Sequence, residues 1–357
     1  MTVHPSPAAA DRDDQPPDEG VAAPVTASAG RYARPPAELF AAIVTSIRSV
    51  LFADEEKVRL AVACFVAGGH LLVEDYPGLG KTTLAKALAR AFGLGFHRVQ
   101  FTADLLPADI TGAMVLDLER REPVFRPGPV FTNVLMADEL NRASPRAQSA
   151  LLEAMEERQV TVDGRTFDLP RPFMVVATQN PYDAAGTSPL PHGQRDRFLL
   201  RLTLGYPTRA EEEALVEGED PSARAAVLEP AVNSEELKGL MGAVAHVHVS
   251  PAARTYLLDL VQATRTHHSV SVGASPRAAL ALVRAARAMT VANGRTYVTP
   301  GDIQSVAVPV LGHRLLLHPG TEVVGAGPES IVDDLLQLVP VVGGEETTDT
   351  GAGTKRP

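Results

Sequence analysis

The chain has 357 residues, of which 45% are hydrophobic and 21% are charged, a composition typical of a globular protein. Its formal net charge of −10 disfavours non-specific binding to nucleic acids and to anionic membranes. The single cysteine, Cys64, excludes an internal disulfide framework and any zinc site built from several cysteines. No apolar run is long enough to span a bilayer, and no secretory signal pattern begins the chain. We therefore expect a cytoplasmic protein without a membrane span.

Two terminal segments differ in composition from the rest of the chain. Residues 1–36 and 343–357 carry few large apolar side chains and are rich in small, polar or proline residues. Such segments cannot bury enough apolar surface to offset the entropy lost on ordering, so we interpret both as disordered tails. The hydrophobic patterns between them predict an α/β core over residues 37–206 and a helical domain over residues 207–342.

The α/β part alternates helical patterns with short apolar runs. Helices are indicated where apolar residues recur at intervals of three and four. The continuous apolar runs are typical of parallel strands covered on both faces. The predicted elements are helices 36–51 and 55–66, strand 70–74, helix 82–92, strand 134–137, helix 145–159, strand 173–177 and strand 198–204.

Two hairpins interrupt this alternation. The first pairs 113–117 with 124–126, and the second pairs 159–162 with 166–169 around Asp163-Gly164, a strong hairpin-turn signal. After Pro207 the patterns are almost entirely helical. The helices predicted there are 208–217, 234–247, 251–266, 275–292 and 300–313.

A glycine-rich run, DYPGLGKTT, follows the first predicted strand and opens a helix, which is the context that a phosphate-binding loop needs. Gly78 and Gly80 let the backbone approach phosphates, and the helix N-terminus supplies partial positive charge. Lys81 would reach the β- and γ-phosphates, and the Thr82 hydroxyl would ligate Mg²⁺. The nucleotide-binding residues predicted here are Asp75, Tyr76, Pro77, Gly78, Leu79, Gly80, Lys81, Thr82 and Thr83.

The first position of this loop departs from the usual pattern, which begins with glycine. Asp75 stands there instead, and aspartate tolerates left-handed backbone geometry better than most residues. The alternative to a phosphate loop is a simple glycine turn between a strand and a helix.

Polar side chains follow two later apolar strands. VLMADE ends in Asp138 and Glu139, and FMVVATQNP ends in Thr178 and Asn180. Parallel strands present their carboxyl ends at one edge of a sheet, so these residues should emerge beside the phosphate loop. Asp138 would hold Mg²⁺ through water and Glu139 would polarise the attacking water. Thr178 or Asn180 would orient that water or contact the γ-phosphate, the alternative being an ordinary Asn-Pro turn.

With these three strands in order, the sequence resembles the MoxR family of AAA+ ATPases. The resemblance extends from Glu38 to His318 and implies a P-loop AAA+ core followed by a helical lid. In the AAA+ family a Gly-Gln box often precedes the phosphate strand, and Ala53 and Asp54 stand at that place here. The stretches that carry the resemblance are FTADLLPADITG, VFRPGPVFTNVLMADELNRASPRAQSALLEAMEERQVTVDG, ATQNP, LPHGQRDRFLL, GASPRAALALVRAARAM and YVTPGDI.

The resemblance also assigns roles to single residues. Lys81 and Thr82 match Walker A, Asp138 and Glu139 match Walker B, and Asn180 matches sensor 1.

Two arginines receive roles in the same way. Arg197, in DRF, matches the arginine finger that serves a neighbouring subunit, and Arg277, in SPR, matches sensor 2, which reaches the γ-phosphate from the lid. Without the resemblance, Arg197 would be interpreted as a surface arginine paired with Asp196, and Arg277 as a solvent-facing residue in the first turn of a helix. Arg195 competes with Arg197 for the finger role, and Glu156 is interpreted as part of a solvated helix face.

The resemblance implies ATP hydrolysis with Mg²⁺ in a homo-oligomeric, hexameric ring. It also implies chaperone-like remodelling, assembly or metal-cofactor activation of partner proteins, among them a protein with a von Willebrand factor A domain. One alternative is an AAA+ ATPase that acts on nucleic acid, which the net charge of −10 and the absence of tryptophan disfavour. The other is a nucleotide-dependent scaffold with little turnover.

Overall fold

The computed structural model of the chain describes residues 34–119, 121–180, 190–320 and 327–341. Most of the two predicted tails, 1–36 and 343–357, lies outside the described residues. Arg34, at the start of the described part, donates hydrogen bonds to the carboxylate of Glu236 (3.0 Å) and to the carbonyl of Ala231 (2.8 Å). One residue assigned to the tail therefore contacts the helical part of the fold.

Helices and strands follow the predicted order, and the two predicted hairpins lie where expected. The helices Glu55–Val66 and Pro251–Thr266 have the predicted bounds, whereas the strand Phe96–Gln100 and the helices Pro221–Ala226 and Pro328–Leu338 are among the additions to the prediction. The strands are β1 (Leu71–Glu74), β2 (Phe96–Gln100), β3 (Gly112–Asp117), β4 (Glu122–Pro127), β5 (Val134–Asp138), β6 (Gln159–Val162), β7 (Arg165–Asp168), β8 (Met174–Gln179), β9 (Leu200–Leu202), β10 (His248–Val249), β11 (Val270–Val272), β12 (Tyr297–Val298) and β13 (Leu316–Leu317). The helices are α1 (Pro36–Arg48), α2 (Glu55–Val66), α3 (Lys81–Ala91), α4 (Pro107–Thr111), α5 (Pro145–Glu157), α6 (His192–Arg195), α7 (Arg209–Val216), α8 (Pro221–Ala226), α9 (Ser234–His246), α10 (Pro251–Thr266), α11 (Pro276–Ala292), α12 (Pro300–Leu311) and α13 (Pro328–Leu338).

A five-stranded parallel sheet with the order β2-β5-β8-β1-β9 forms the centre of the α/β part. In the sheet register, Gln100 lies opposite Asp138, and Glu74 lies opposite Gln179. The polar ends of β1, β5 and β8 therefore meet at one edge, as the sequence predicted, and the end of β2, which was not predicted, joins them. Strand β2 was missed because it is an edge strand with mixed polarity, so its sequence lacks the apolar run of the central strands.

Both faces of the sheet are covered, which explains the continuous apolar strands. On β1, Leu71 and Val73 face a cluster that includes α1, α2 and α3, while Leu72 faces a second cluster with α4 and α5. The first cluster continues without a break from Leu39 in α1 to Leu335 in α13. The helical part is thus packed onto the α/β part through a shared core. Within the described part of the chain, no helix is both long enough and apolar enough to cross a membrane.

Several helices begin with the same two-residue signal, a serine or threonine followed by proline. The side chains of Ser144, Ser250, Ser275 and Thr299 each accept a hydrogen bond from the backbone N–H three residues later. The proline after each of them occupies the first helical turn, where its missing N–H costs nothing. These local bonds explain why the starts of α5, α10, α11 and α12 could be predicted.

His70 connects β1 to two neighbouring elements inside the core. Its Nδ1 accepts the backbone N–H of Val175 (2.9 Å), and its Nε2 donates to the carbonyl of Met155 (3.1 Å). Burial, with a smaller contribution from the nearby Arg158 charge, lowers the pKa of His70 to about 3. The imidazole is therefore neutral at physiological pH and acts as a structural bridge.

We expect the free energy of unfolding to fall as the pH drops from about 6.5 towards 3, by about 1.4 kcal/mol per pH unit from His70. The unfolded chain binds a proton on this histidine in that window, whereas the folded chain does not. Urea unfolding between about pH 4.5 and pH 6 should show this slope in the wild type, and a flatter one in His70→Gln. His313, whose pKa burial also lowers, is present in both proteins and cancels. Equal slopes in the two proteins would contradict the assignment.

Candidate active site

The loop between β1 and α3 has the geometry of a phosphate cradle. Gly78 and Gly80 have φ values of +85° and +84°, a region that glycine occupies without strain. Gly80 is the N-cap of α3, so the unpaired N–H groups of the first turn, beginning at Lys81, are available to an anion. The loop forms one wall of a cavity of about 530 Å³. The cavity is lined by Leu51, Phe52, Pro77, Gly78, Leu79, Gly80, Lys81, Thr82, Thr83, Arg98, Gln100, Asp138, Glu139, Thr178, Gln179, Asn180, Pro207, Leu215, Asp220, Pro221 and Ser222.

The ammonium group of Lys81 folds back over its own loop. It donates hydrogen bonds to the carbonyl oxygens of Asp75 (2.5 Å) and Tyr76 (2.8 Å). Partial burial lowers the pKa of Lys81, and the charges of Asp75, Asp138 and Glu139 oppose that shift. The lysine is therefore held at the loop by neutral acceptors that an anionic ligand would outcompete.

Asp75 joins the start of the loop to the end of the neighbouring strand. Its buried carboxylate accepts the backbone N–H groups of Leu204 and of Gly205 (3.1 Å for the latter). Asp75 does not use the left-handed geometry that aspartate tolerates, because its φ is not positive. Its side chain serves here as an acceptor for two backbone N–H groups. Neither Asp75 nor Tyr76 lines the cavity, and the Tyr76 ring faces that of Tyr206 at 6.2 Å between centroids.

Asp138 and Glu139 lie across the cavity from the loop, at the end of β5. Thr178, on the neighbouring strand, connects them: its hydroxyl donates to Asp138 Oδ1 (2.5 Å) and accepts the backbone N–H of Glu139 (2.9 Å). Glu139 has a φ of +54°, which is uncommon outside glycine and is found preferentially at functional sites. Its carboxylate, about one third exposed, forms an ion pair with Arg142 (3.1 Å).

Asn180 follows the end of β8 and lines the same cavity. The structure thus brings the predicted Lys81, Thr82, Asp138, Glu139 and Asn180 around one space. Among the described residues, there is no cluster of three or more histidine, cysteine or acidic side chains arranged to hold a metal.

Arg197 and Arg277 lie elsewhere, in a second cavity of about 400 Å³ between α5 and α11. Both guanidinium groups form ion pairs with Glu156, and Arg197 also donates to the carbonyl of Leu152 (3.2 Å). The sequence suggested that Glu156 lies on a solvated helix face, but its carboxylate is engaged by both arginines. The resemblance implied that Arg277 reaches the γ-phosphate from the lid; in this structure its side chain lines the cavity of Arg197 and not that of Lys81.

The segment that carries Arg197 is held by the helical part. Arg314, which is 2% exposed, donates from Nε to Asp196 Oδ1 (2.8 Å). Ser275 Oγ donates to the other oxygen of Asp196 (3.1 Å). The alternative interpretation, in which Asp196 pairs with Arg197, is wrong. Arg195 lines neither cavity, and the charges that act on its guanidinium are those of Glu74 and Arg201.

Sequence reasoning missed several residues of the first cavity. Arg98 and Gln100 come from the unpredicted strand β2, and the segment Asp220–Ser222 comes from the unpredicted start of α8. Leu51 and Phe52 line the cavity just before the positions of the Gly-Gln box. Asp54 instead caps α2 by accepting the N–H of Glu56 (2.8 Å). In β2 the apolar residues Phe96 and Val99 are three positions apart, which is not the alternation of a half-buried strand, so no local signal predicted it.

Comparisons with known proteins agree with this arrangement. Residues 70–200 match the model of the ATPase family associated with various cellular activities (AAA), and residues 262–335 match the AAA lid domain. The chain is 38% identical to Chaperone MoxR1 of Mycobacterium tuberculosis, over 83% of this chain and 80% of that protein. It is 44% identical to the uncharacterized protein YeaC of Bacillus subtilis, over 84% and 93% of the two chains.

Two further relatives extend the comparison. Protein MoxR of Paracoccus denitrificans is 33% identical over 78% of this chain and 88% of its own length. A crystal structure of a Cytophaga hutchinsonii protein, assigned there as an ATPase, superposes with a TM-score of 0.79 at 34% identity and covers 86% of this chain and 96% of its own. The family models, the relatives and the shared fold therefore agree: this chain belongs to the MoxR family of AAA+ ATPases.

Proposed function

We propose that this protein binds ATP with Mg²⁺ in the cavity beside Lys81 and hydrolyses it. The observation that supports this most directly is the convergence of Lys81, Asp138 and Glu139 on one cavity, the first from the loop after β1 and the other two from the end of β5. Thr82 and Asp138 offer hydroxyl and carboxylate oxygens, the ligand class that Mg²⁺ prefers. Gly78 and Gly80 adopt positive φ and carry no side chains, so the backbone N–H groups of the loop are open to a phosphate chain.

Each residue then has a distinct task. Lys81 exchanges its bonds to the loop carbonyls for phosphate oxygens, and Thr82 and Asp138 hold the metal, which neutralises charge on the phosphates when bound. Glu139 accepts the proton of the attacking water, and Asn180 orients that water. Leu51 and Phe52 supply apolar surface for the base.

Arg197 and Arg277 are proposed to act on the nucleotide of a neighbouring subunit in a hexameric ring. Two observations support this: neither arginine lines the cavity of Lys81, and both gather at the partly exposed Glu156. We take residues 37–206 as the nucleotide-binding core and 207–342 as the lid, with disordered tails at 1–36 and 343–357.

The cellular role that we propose is chaperone-like remodelling in the cytoplasm. The support is the relative from Mycobacterium tuberculosis whose name is Chaperone MoxR1. A partner with a von Willebrand factor A domain is proposed on the family resemblance.

Phosphate release from ATP by the purified chain tests the reaction. We expect Mg²⁺-dependent release that duplex or single-stranded DNA leaves unchanged. Tight ATP binding with no release in a single turnover, with and without a candidate partner, would favour a scaffold. Hydrolysis that DNA stimulates in a salt-sensitive way would favour the nucleic-acid alternative.

A further inference from the structure

Arg98 contacts the proposed metal ligand Asp138 from the edge of the sheet. It lies on β2, next to β5, and its Nη2 and Nε atoms are 2.5 Å and 3.2 Å from Asp138 Oδ2. Arg98 and Gln100 are two residues apart on a strand and therefore project to the same side. Both side chains line the cavity of Lys81.

The contacts of Asp138 leave neither carboxylate oxygen without a partner. Thr178 donates to Oδ1 and Arg98 donates to Oδ2. Oδ2 accepts two N–H groups of Arg98, which occupy both of its lone pairs, so a metal ion or its water that contacts Oδ2 must displace Arg98. Thr178 is 1% exposed and is also fixed by the N–H of Glu139, whereas the Arg98 side chain is 48% exposed. Oδ2 is consequently the oxygen that can be released.

Arg98 also has a second acceptor on the cavity wall. Its Nη2 lies 3.4 Å from Gln100 Oε1. A guanidinium that leaves Asp138 therefore stays beside the space proposed for the phosphates, where negative charge attracts it.

We propose that Arg98 is a positioning residue that competes with Mg²⁺ for Asp138 and transfers to the nucleotide phosphates when the metal arrives. This inference rests on the proposed function. Without metal, Arg98 neutralises Asp138 and makes the cavity more favourable for an anionic nucleotide. With metal, the bond between Arg98 and Asp138 must be given up, so the protein binds Mg²⁺ less tightly than an isolated Asp138 would.

Binding of a fluorescent β,γ-imido analogue of ATP, which is not hydrolysed, tests the proposal without measuring turnover. We expect Arg98→Gln to bind the analogue about tenfold more weakly in EDTA, because the negative charge of Asp138 beside the phosphates is then no longer neutralised. With the analogue saturating, we titrate Mg²⁺ and follow the fluorescence of the bound analogue. The Mg²⁺ concentration that gives half of the fluorescence change should be about tenfold lower in Arg98→Gln, because the competitor of the metal is gone. Arg98→Lys keeps the charge but not the contact through two nitrogen atoms. Its affinity in EDTA and its Mg²⁺ requirement should lie between those of the wild type and those of Arg98→Gln.

Arg48→Gln is the matched control. Arg48 also pairs with a carboxylate, that of Glu55, and its side chain is 46% exposed, but it lies outside the residues that line the cavity. We expect its affinity for the analogue in EDTA and its Mg²⁺ requirement to equal those of the wild type. Thermal unfolding of each variant shows whether it is folded. If Arg98→Gln does not fold, Arg98→Lys is used in its place for both measurements.

Three outcomes are informative in the other direction. If Arg98→Gln needs the same or more Mg²⁺, Arg98 does not compete with the metal. If it binds the analogue in EDTA as tightly as the wild type does, Arg98 does not neutralise Asp138 for the nucleotide, and the pair only holds β2 against β5; either result overturns this inference alone. If the wild type binds no nucleotide in the presence of Mg²⁺, the proposed function fails, and this inference fails with it.

Discussion

Glu139→Gln should retain wild-type affinity for ATP and lose turnover by about 10²–10⁴-fold, because only the acceptor of the water proton is removed. The structure explains why binding and turnover should be affected separately. The contact of Glu139 with Thr178 is made by its backbone N–H, so an amide side chain of equal size leaves that contact in place. Nucleotide affinity and phosphate release, measured on the same preparation, check both halves of the expectation.

Glu157→Gln is the matched control for this variant. Glu157 ends α5, is exposed, and lies outside the residues that line the cavity of Lys81. It should behave as wild type in both assays. Turnover at the wild-type rate in Glu139→Gln would show that the base is another residue.

Lys81→Ala should instead abolish tight ATP binding. The loss removes the one lysine that lines the cavity in the described part of the chain, and with it a positive charge on the β- and γ-phosphates. Its partners in the present structure are carbonyl oxygens of the loop, which remain satisfiable by water after truncation. A variant that is folded but binds ATP as well as wild type would contradict the assignment.

Arg197→Ala should bind ATP nearly as well as wild type and turn over about 10³–10⁵-fold more slowly, the range known for loss of an arginine finger. The physical reason is that a transferring phosphoryl group develops charge that a neighbouring subunit neutralises. The position of Arg197 outside the cavity of Lys81 is the structural basis of this expectation.

Mixed rings distinguish action between subunits from action within one. Lys81→Ala subunits cannot use their own site but carry a finger, and Arg197→Ala subunits have a usable site but no finger to give. Mixing them should recover activity that neither has alone. Absence of recovery in rings shown to be mixed would place Arg197 in its own site or in a structural pair with Glu156.

Arg195→Ala is the companion control for the mixing experiment. Arg195 lies near Glu74 and Arg201 and lines neither cavity. We therefore expect Arg195→Ala to hydrolyse ATP like the wild type without being mixed with another variant. If Arg195→Ala showed complementation and Arg197→Ala did not, the finger would be Arg195.

Features that depend on neighbouring residues could be predicted from the amino-acid sequence. The glycines of the phosphate loop have the positive φ that the motif requires, and Ser144 and Ser250 cap helices because the bond partner is three residues away. The parallel strands were recognisable because burial on both faces demands continuous apolar runs. The placement of Asp138 beside Lys81 followed from the rule that parallel strands end at one edge.

Contacts between distant residues could not be predicted in this way. The pairs Arg98–Asp138, Arg277–Glu156 and Asp75–Gly205 join residues that are 40, 121 and 130 positions apart. Each depends on a docking event, namely the register of β2 on β5, the approach of α11 to α5, and the pairing of β9 with β1. Arginine and carboxylate side chains are numerous and chemically equivalent along a chain, so no local pattern states which of them will meet. Their partners are chosen by the packing of the shared core, which brings only certain pairs within hydrogen-bond distance.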